Sequence, residues 1–346
     1  MNAALLAGPT PVPVPAIETE LGKLWKSLAP AAPPEGGIAI DPAAMRASLV
    51  NLVAIGAHPT EVTAAGDAIG RILSRTPCRA ILVDCEPDSP AADITAEISI
   101  IGEPPPFGER QVRCEQITLR AAGAAAQNLP AAAIPLYVPD LPVVVWWPGP
   151  PPLQHETFRR FAATADRVLI DSATFGRDGL RTLAEFVARS RQTRTAVGDL
   201  NWARLTPYRQ LFAQFFDSAH WREQLRRIVS VTIEARESAG LLMAGWLESR
   251  LRGRGYNVPP LDKMDLRAVN RGRVIFHSIV MKCAGGEFAV RRTDENTVEA
   301  AATVGTESAA RTAHIGLAPV EKYLCDEIGY TGRDRAFDAA VRAAVA

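Results

Sequence analysis

Along the amino-terminal part of the chain, apolar positions switch repeatedly between strand-like runs and helical spacing, and each switch predicts an element. Residues 46–56, Arg-Ala-Ser-Leu-Val-Asn-Leu-Val-Ala-Ile-Gly, read as a strand; 60–74 follow with helical spacing, and 79–84 return to a β-rich run. That is one βαβ unit, with parallel strands and a right-handed crossover expected. Residues 93–101 and 111–119 alternate apolar and polar side chains around the Pro/Gly-rich stretch 103–109, which predicts an antiparallel pair. Helices are expected at 18–28 and, from its alanine content, at 121–134.

The run Leu141-Pro-Val-Val-Val-Trp-Trp147 is stopped at once by Pro148-Gly-Pro-Pro-Pro152. Its unbroken β-branched and aromatic character predicts a strand buried on both faces. Two adjacent Trp in a strand point to opposite faces, so either a further layer covers the second indole or that indole waits for a partner. A helix at 154–164 and a strand at 166–171 complete a second βαβ unit, and a helix at 179–190 follows. Thr206-Pro207 reads as a helix start, Thr capping and Pro in the first turn, with the helix reaching about residue 217.

Beyond that point the pattern changes. A strand at 225–235 leads into an amphipathic helix at 238–252 ending on Gly253. A meander of three short strands (273–282, 287–292, 297–304) and two closing helices (316–328, 333–345) come next. The expected fold class is α/β: an amino-terminal mixed sheet built from βαβ units with helices on both faces, then a smaller α+β carboxyl-terminal part. The expected domains are an arm with the first helix at 1–37, an α/β domain at 38–219 and an α+β domain at 220–346. Residues 1–16, rich in Ala and Pro, read as an unstructured arm without the basic region of a secretion signal.

Composition narrows the function classes. The 346 residues carry 38 basic and 38 acidic side chains, so no global field recruits nucleic acid or an anionic membrane. No apolar run approaches the roughly 20 residues of a membrane span. Five cysteines are scattered without a C-x-x-C pair, which reads as reduced thiols and a cytoplasmic protein.

The common chemical motifs are missing. The sequence has no G-x-G-x-x-G, no G-x-x-x-x-G-K-[ST] and no G-x-S-x-G. Arg252-Gly-Arg-Gly255 lacks the flanking strand and helix that a phosphate loop needs, and the five histidines stand singly. No cofactor and no metal are therefore expected. A crevice at the carboxyl ends of parallel strands would gather His58, Trp147, Asp171 and Ser172. Asp171 and Ser172 either position a ligand hydroxyl there or simply cap the following turn. The stretch Asp199-Leu-Asn-Trp-Ala-Arg-Leu-Thr-Pro-Tyr-Arg209 is dense in the Trp, Tyr and Arg that anchor protein interfaces, or else is a capped helix with a Trp staple.

Several segments resemble one family. Leu136-Tyr-Val-Pro-Asp-Leu-Pro-Val-Val-Val-Trp-Trp-Pro-Gly-Pro150 is similar to the hallmark of the OpcA family, the glucose-6-phosphate dehydrogenase assembly proteins. Arg46-Ala-Ser-Leu-Val-Asn-Leu-Val, Cys114-Glu-Gln-Ile-Thr-Leu, Ala165-Asp-Arg-Val-Leu-Ile-Asp-Ser172 and the 199–209 stretch resemble it in order and spacing. Leu225-Arg-Arg-Ile-Val-Ser-Val-Thr-Ile and Leu241-Leu-Met-Ala-Gly-Trp-Leu extend the likeness to about residue 252. The resemblance implies a non-catalytic assembly factor that binds glucose-6-phosphate dehydrogenase and promotes its active oligomer, supporting NADPH supply through the oxidative pentose phosphate pathway. It suggests Trp147, Trp202, Arg204, Tyr208 and Arg209 as partner contacts. The rival expectation is a phosphosugar- or nucleotide-sugar-binding enzyme, or a metabolite-sensing adaptor, using the crevice near Trp147 and Asp171.

Overall fold

The computed structural model describes residues 4–28, 48–86, 93–102, 112–270, 272–330 and 332–346. The linker expected at 30–37 and the turn at 103–109 lie outside them. The chain divides into two compact units. Residues 1–170, 193–196 and 328–330 form the first, and residues 171–192, 197–327 and 331–346 the second. The change of pattern near residue 217 thus falls inside the second unit.

The first unit is built on a mixed sheet. It holds β1 (Ala4–Val12), α1 (Ile17–Ser27), β2 (Val50–Gly56), α2 (Pro59–Ile72), β3 (Cys78–Glu86), β4 (Ile94–Gly102) and β5 (Arg113–Ala122). It continues with α3 (Leu129–Ala133), β6 (Val143–Trp146), α4 (Glu156–Thr164) and β7 (Arg167–Ile170). The sheet order is β1-β4-β5-β3-β2-β6-β7, with β8 (Ala196–Asp199) at the far edge. Strands β5, β3, β2, β6 and β7 run parallel; β4 pairs antiparallel to β5, and β1 pairs antiparallel to β4.

The two βαβ units and the antiparallel β4–β5 pair follow the sequence pattern. Every residue of β2 and of β6 is buried, as expected for central parallel strands. Three expectations differ. Residues 4–12 form β1 instead of an unstructured arm, because they gain a ladder of backbone hydrogen bonds along β4 that composition does not register. The alanine-rich segment 121–134 is no continuous helix: Ala121 and Ala122 finish β5, Gly123 turns the chain at φ 52°, and a 3-10 stretch precedes the single short turn of α3. Strand β8 has no counterpart among the expected elements, since its four residues are too few to show a period.

Two polar devices fix the first unit internally. Asn51, fully buried in β2, clamps Val138 by accepting its N–H at 2.7 Å and donating to its carbonyl at 3.0 Å. Arg79, 3% exposed in β3, lies 2.6 Å from Glu115 of β5 and 2.6 Å from Glu18 of α1. Glu115 also accepts the Trp25 indole N–H at 2.6 Å, so one ion network ties α1 to two strands.

The second unit contains α5 (Arg177–Ser190), α6 (Leu200–Ala213), α7 (Ala219–Glu223), β9 (Ile228–Ala235) and α8 (Glu237–Arg252). After these come β10 (Asp265–Ala268), β11 (Phe276–Cys283), β12 (Gly286–Arg292), β13 (Thr297–Val304) and β14 (Glu307–His314). Helices α9 (Val320–Ile328) and α10 (Arg335–Ala343) close the chain. Its sheet runs β10-β9-β11-β12-β13-β14, antiparallel except for β10 against β9. The expected three-strand meander is present and gains β14. Helix α8 packs against α10 so closely that a Cβ on Gly245 would run into the Ala340 carbonyl.

Helix α6 corrects the expected start at Thr206. It begins seven residues earlier, because the Asp199 carboxylate accepts the N–H of Asn201 and caps the first turn, leaving Pro207 inside the helix. Proline removes one intrahelical hydrogen bond there, and burial of Leu200, Trp202, Leu205, Tyr208 and Phe212 holds the helix through it.

Candidate functional site

The polar centre of the second unit forms where the chain leaves β7 and β8. Asp199, wholly buried, accepts the Ser172 N–H at 2.9 Å and its hydroxyl at 2.6 Å. Asn201 donates its amide to the Ser172 oxygen at 3.1 Å and to the Ser238 hydroxyl at 3.2 Å. Burial, followed by the negative charge of Asp171, pushes the Asp199 carboxyl up to about 7, against the pull of its three hydrogen bonds.

Asp171 is itself held by Arg204 in a two-pronged pair, Nη1 to Oδ1 and Nη2 to Oδ2, both 2.7 Å. The Asp171 carboxylate also caps the turn after it by accepting the Ala173 N–H. Arg204 rests over the Tyr323 ring at 5.2 Å. Ser172 is thus a buried hydroxyl held between a carboxylate and an amide, with no histidine joined to it among the described residues. Asp171 is thus the residue that caps the turn, and the Ser172 hydroxyl is engaged by Asp199 instead.

A second cluster surrounds Trp202. Its indole N–H donates to Asp334 at 2.7 Å, and the Arg209 guanidinium lies 3.3 Å above its ring. Arg209 donates to the Thr206 hydroxyl and the Trp202 carbonyl and forms no ion pair among the described residues, and burial pushes it down to about 10. Tyr208 packs on Phe276 at 4.6 Å, and its hydroxyl receives a hydrogen bond from Arg292.

These positions revise the sequence expectations. Trp202 and Tyr208 are 2% and 4% exposed, so their rings serve the unit's own packing. Trp147, in the first unit, is 3% exposed and meets Phe158 edge-on at 5.4 Å. Surface contact by these three rings is not available in this conformation. His58, also in the first unit, is exposed and precedes α2, whose first turn bonds to its carbonyl. The structure gathers Asp171, Ser172 and Arg204 in the second unit; His58 and Trp147 belong to the first. Among the described residues no cluster of three or more His, Cys, Asp or Glu side chains could hold a metal ion, and no helix is long and apolar enough to cross a membrane.

A surface with the composition sought in 199–209 exists elsewhere in the second unit. A groove of about 560 Å³ is lined by Phe212, Phe216, Trp246, Arg250, Arg254 and Tyr256, among others. Among the described residues, neither the Arg250 nor the Arg254 guanidinium has a hydrogen-bonded or ion-paired partner. Aromatic rings beside unpaired arginines are the typical make-up of a protein-binding hot spot. The signal was in the sequence: Trp246 and Arg250 lie four residues apart in the helix expected at 238–252, which aligns them near one face, and Arg254 follows just past its end.

Comparison with known proteins adds to this geometry. Residues 70–186 match the family model described as glucose-6-phosphate dehydrogenase subunit N-terminal domain, and residues 195–341 match that of its C-terminal domain. Similar curated proteins are the putative OxPP cycle proteins OpcA of Synechocystis and Nostoc punctiforme. The first is 33% identical over 144 residues, 40% of this chain and 30% of the relative. The second is 32% identical over 188 residues, 52% of this chain and 39% of the relative. The match thus spans less than half the length of these relatives. Among solved structures, a levoglucosan dehydrogenase with NADH and L-sorbose aligns at TM-score 0.44 and 11% identity, over 86% of this chain and 96% of that one.

Proposed function

The chain belongs to the OpcA family of glucose-6-phosphate dehydrogenase subunits, and on that premise we propose that it binds the dehydrogenase in the cytoplasm and favours its active oligomer. The observation that carries this reading is the match of both subunit models, in order, across residues 70–186 and 195–341. An activator of this kind works by binding one state of its target better than another, with couplings of about 1–3 kcal/mol. It needs a docking surface rather than a reactive side chain.

The groove around Trp246 supplies such a surface. Arg250 and Arg254 call for carboxylates, and the rings of Phe216, Trp246 and Tyr256 accept an apolar side chain between them. An acidic segment of the dehydrogenase with one or two aliphatic residues fits this chemistry. The test is to mix the purified chain with the dehydrogenase from the same genome, following NADPH production and hydrodynamic size. Faster turnover with a larger particle is expected, and no change in either would remove the proposal.

A further inference from the structure

Next to the Asp171–Arg204 pair, the second unit contains a cavity of about 430 Å³ that the docking role does not use. Arg204 and Tyr208 of α6, Arg273 ahead of β11, Arg292 at the end of β12, and Glu321 and Tyr323 of α9 help to line it. Three guanidiniums converge here, and their charges are unequally matched. Arg204 is balanced by Asp171. Arg292 donates to the carbonyls of Asp294, Glu295 and Ile315 and to the Tyr208 hydroxyl, all uncharged acceptors, while its buried Nε meets no acceptor. Arg273 is exposed and has no partner among the described residues. Among the residues that line the cavity, Glu321 is the one carboxylate, and Asp294 beside Arg292 is a second acid near that guanidinium.

We propose that this cavity binds a small phosphomonoester, a phosphate group carried on a sugar-sized body. The phosphate is the anion that matches the donors. It offers three accepting oxygens to the planar fork of Arg273, whereas a carboxylate offers two, and Arg292, whose Nη hydrogens are already engaged, adds its positive charge. The amino-terminal turn of α9, at Val320 and Glu321, lines the same cavity and adds its partial positive charge. The volume is far larger than a free phosphate ion requires and lies within the usual range for small-molecule sites. Tyr208 and Tyr323 supply ring walls, and Glu321 supplies an acceptor for a ligand hydroxyl. This site does not depend on the docking role, so it stands or falls separately from it.

The test is calorimetric titration of the full chain at constant ionic strength with glucose 6-phosphate, ribose 5-phosphate and AMP, beside unphosphorylated glucose and inorganic phosphate. At least one ester is expected to bind saturably, with inorganic phosphate about tenfold weaker or more, and glucose without heat. Arg273→Glu is expected to weaken the ester at least about tenfold while leaving the urea midpoint unchanged, since the exposed side chain has no hydrogen-bonded or ion-paired partner among the described residues. Should that variant unfold, Arg273→Gln serves instead. Saturable binding by none of the three esters, or inorganic phosphate binding as tightly as they do, overturns the proposal. Undiminished ester affinity in both folded variants overturns the location.

Discussion

Arg204 grips Asp171 through two parallel hydrogen bonds of 2.7 Å, and Asp171 in turn lies close enough to raise the buried carboxyl of Asp199. One guanidinium therefore holds in place the carboxylate whose charge acts on a second, buried acid. Both partners of the pair are about four-fifths covered, so water screens it only in part. Replacing Arg204 by Ala is expected to cost roughly 1.5–3 kcal/mol of stability, the usual range for hydrogen bonds to charged groups. Arg204→Lys should recover less than half of that, because a compact ammonium cannot present the fork. Urea denaturation, with the slope checked for constancy, measures both.

The titration of Asp199 sets a pH dependence of known sign. The unfolded carboxyl releases its proton near 3.8, whereas the folded one keeps it to about 7. Between those values the native state binds more protons than the unfolded state, so stability declines as pH rises from about 4 to about 7 and then levels off. The slope from this group is at most about 1.4 kcal/mol per pH unit. Asp199→Asn should flatten it while keeping an oxygen to accept the N–H groups of Ser172 and Asn201. A steeper dependence in the variant than in the parent would contradict this account of Asp199.

Arg79 in the first unit tests burial from the opposite side. Its guanidinium is 3% exposed between Glu115 and Glu18. Glu115→Ala leaves that cation without its buried partner and the Trp25 indole without its acceptor. The loss is expected to reach about 3–5 kcal/mol, as for other buried pairs that lose one member. Glu18, about half exposed, should cost well under half as much when changed to Ala. Thermal unfolding of the two variants under matched conditions separates them.

The groove makes a prediction that splits affinity from rate. Trp246→Ala should weaken binding to the dehydrogenase by about 2 kcal/mol or more, mostly through faster dissociation. Arg250→Glu reverses an exposed charge that has no partner among the described residues, so slower association and a reduced salt dependence are expected. Surface plasmon resonance at two salt concentrations reads both. Wild-type kinetics in both variants would place the contact elsewhere on the chain.

The residues of this sequence determined by themselves whatever depends on near neighbours. Alternation gave β4 and β5, a mostly apolar run gave β2 and a β-branched one β6, and helical spacing gave α2, α5 and α8, because side-chain period reports which face of an element is buried. The likeness to a family was legible too, since it rests on residue order alone. What depends on distant partners was decided only in three dimensions. Ala4–Val12 became a strand through pairing with β4. The start of α6 moved to Asp199, where the capping carboxylate is also engaged by Ser172, 27 residues away. Trp147, Trp202 and Tyr208 turned inward because Phe158, Asp334 and Phe276 were there to receive them. A sequence shows that a ring or a guanidinium is present; whether it faces solvent or its own core depends on residues brought close by folding, and those contacts leave no local period.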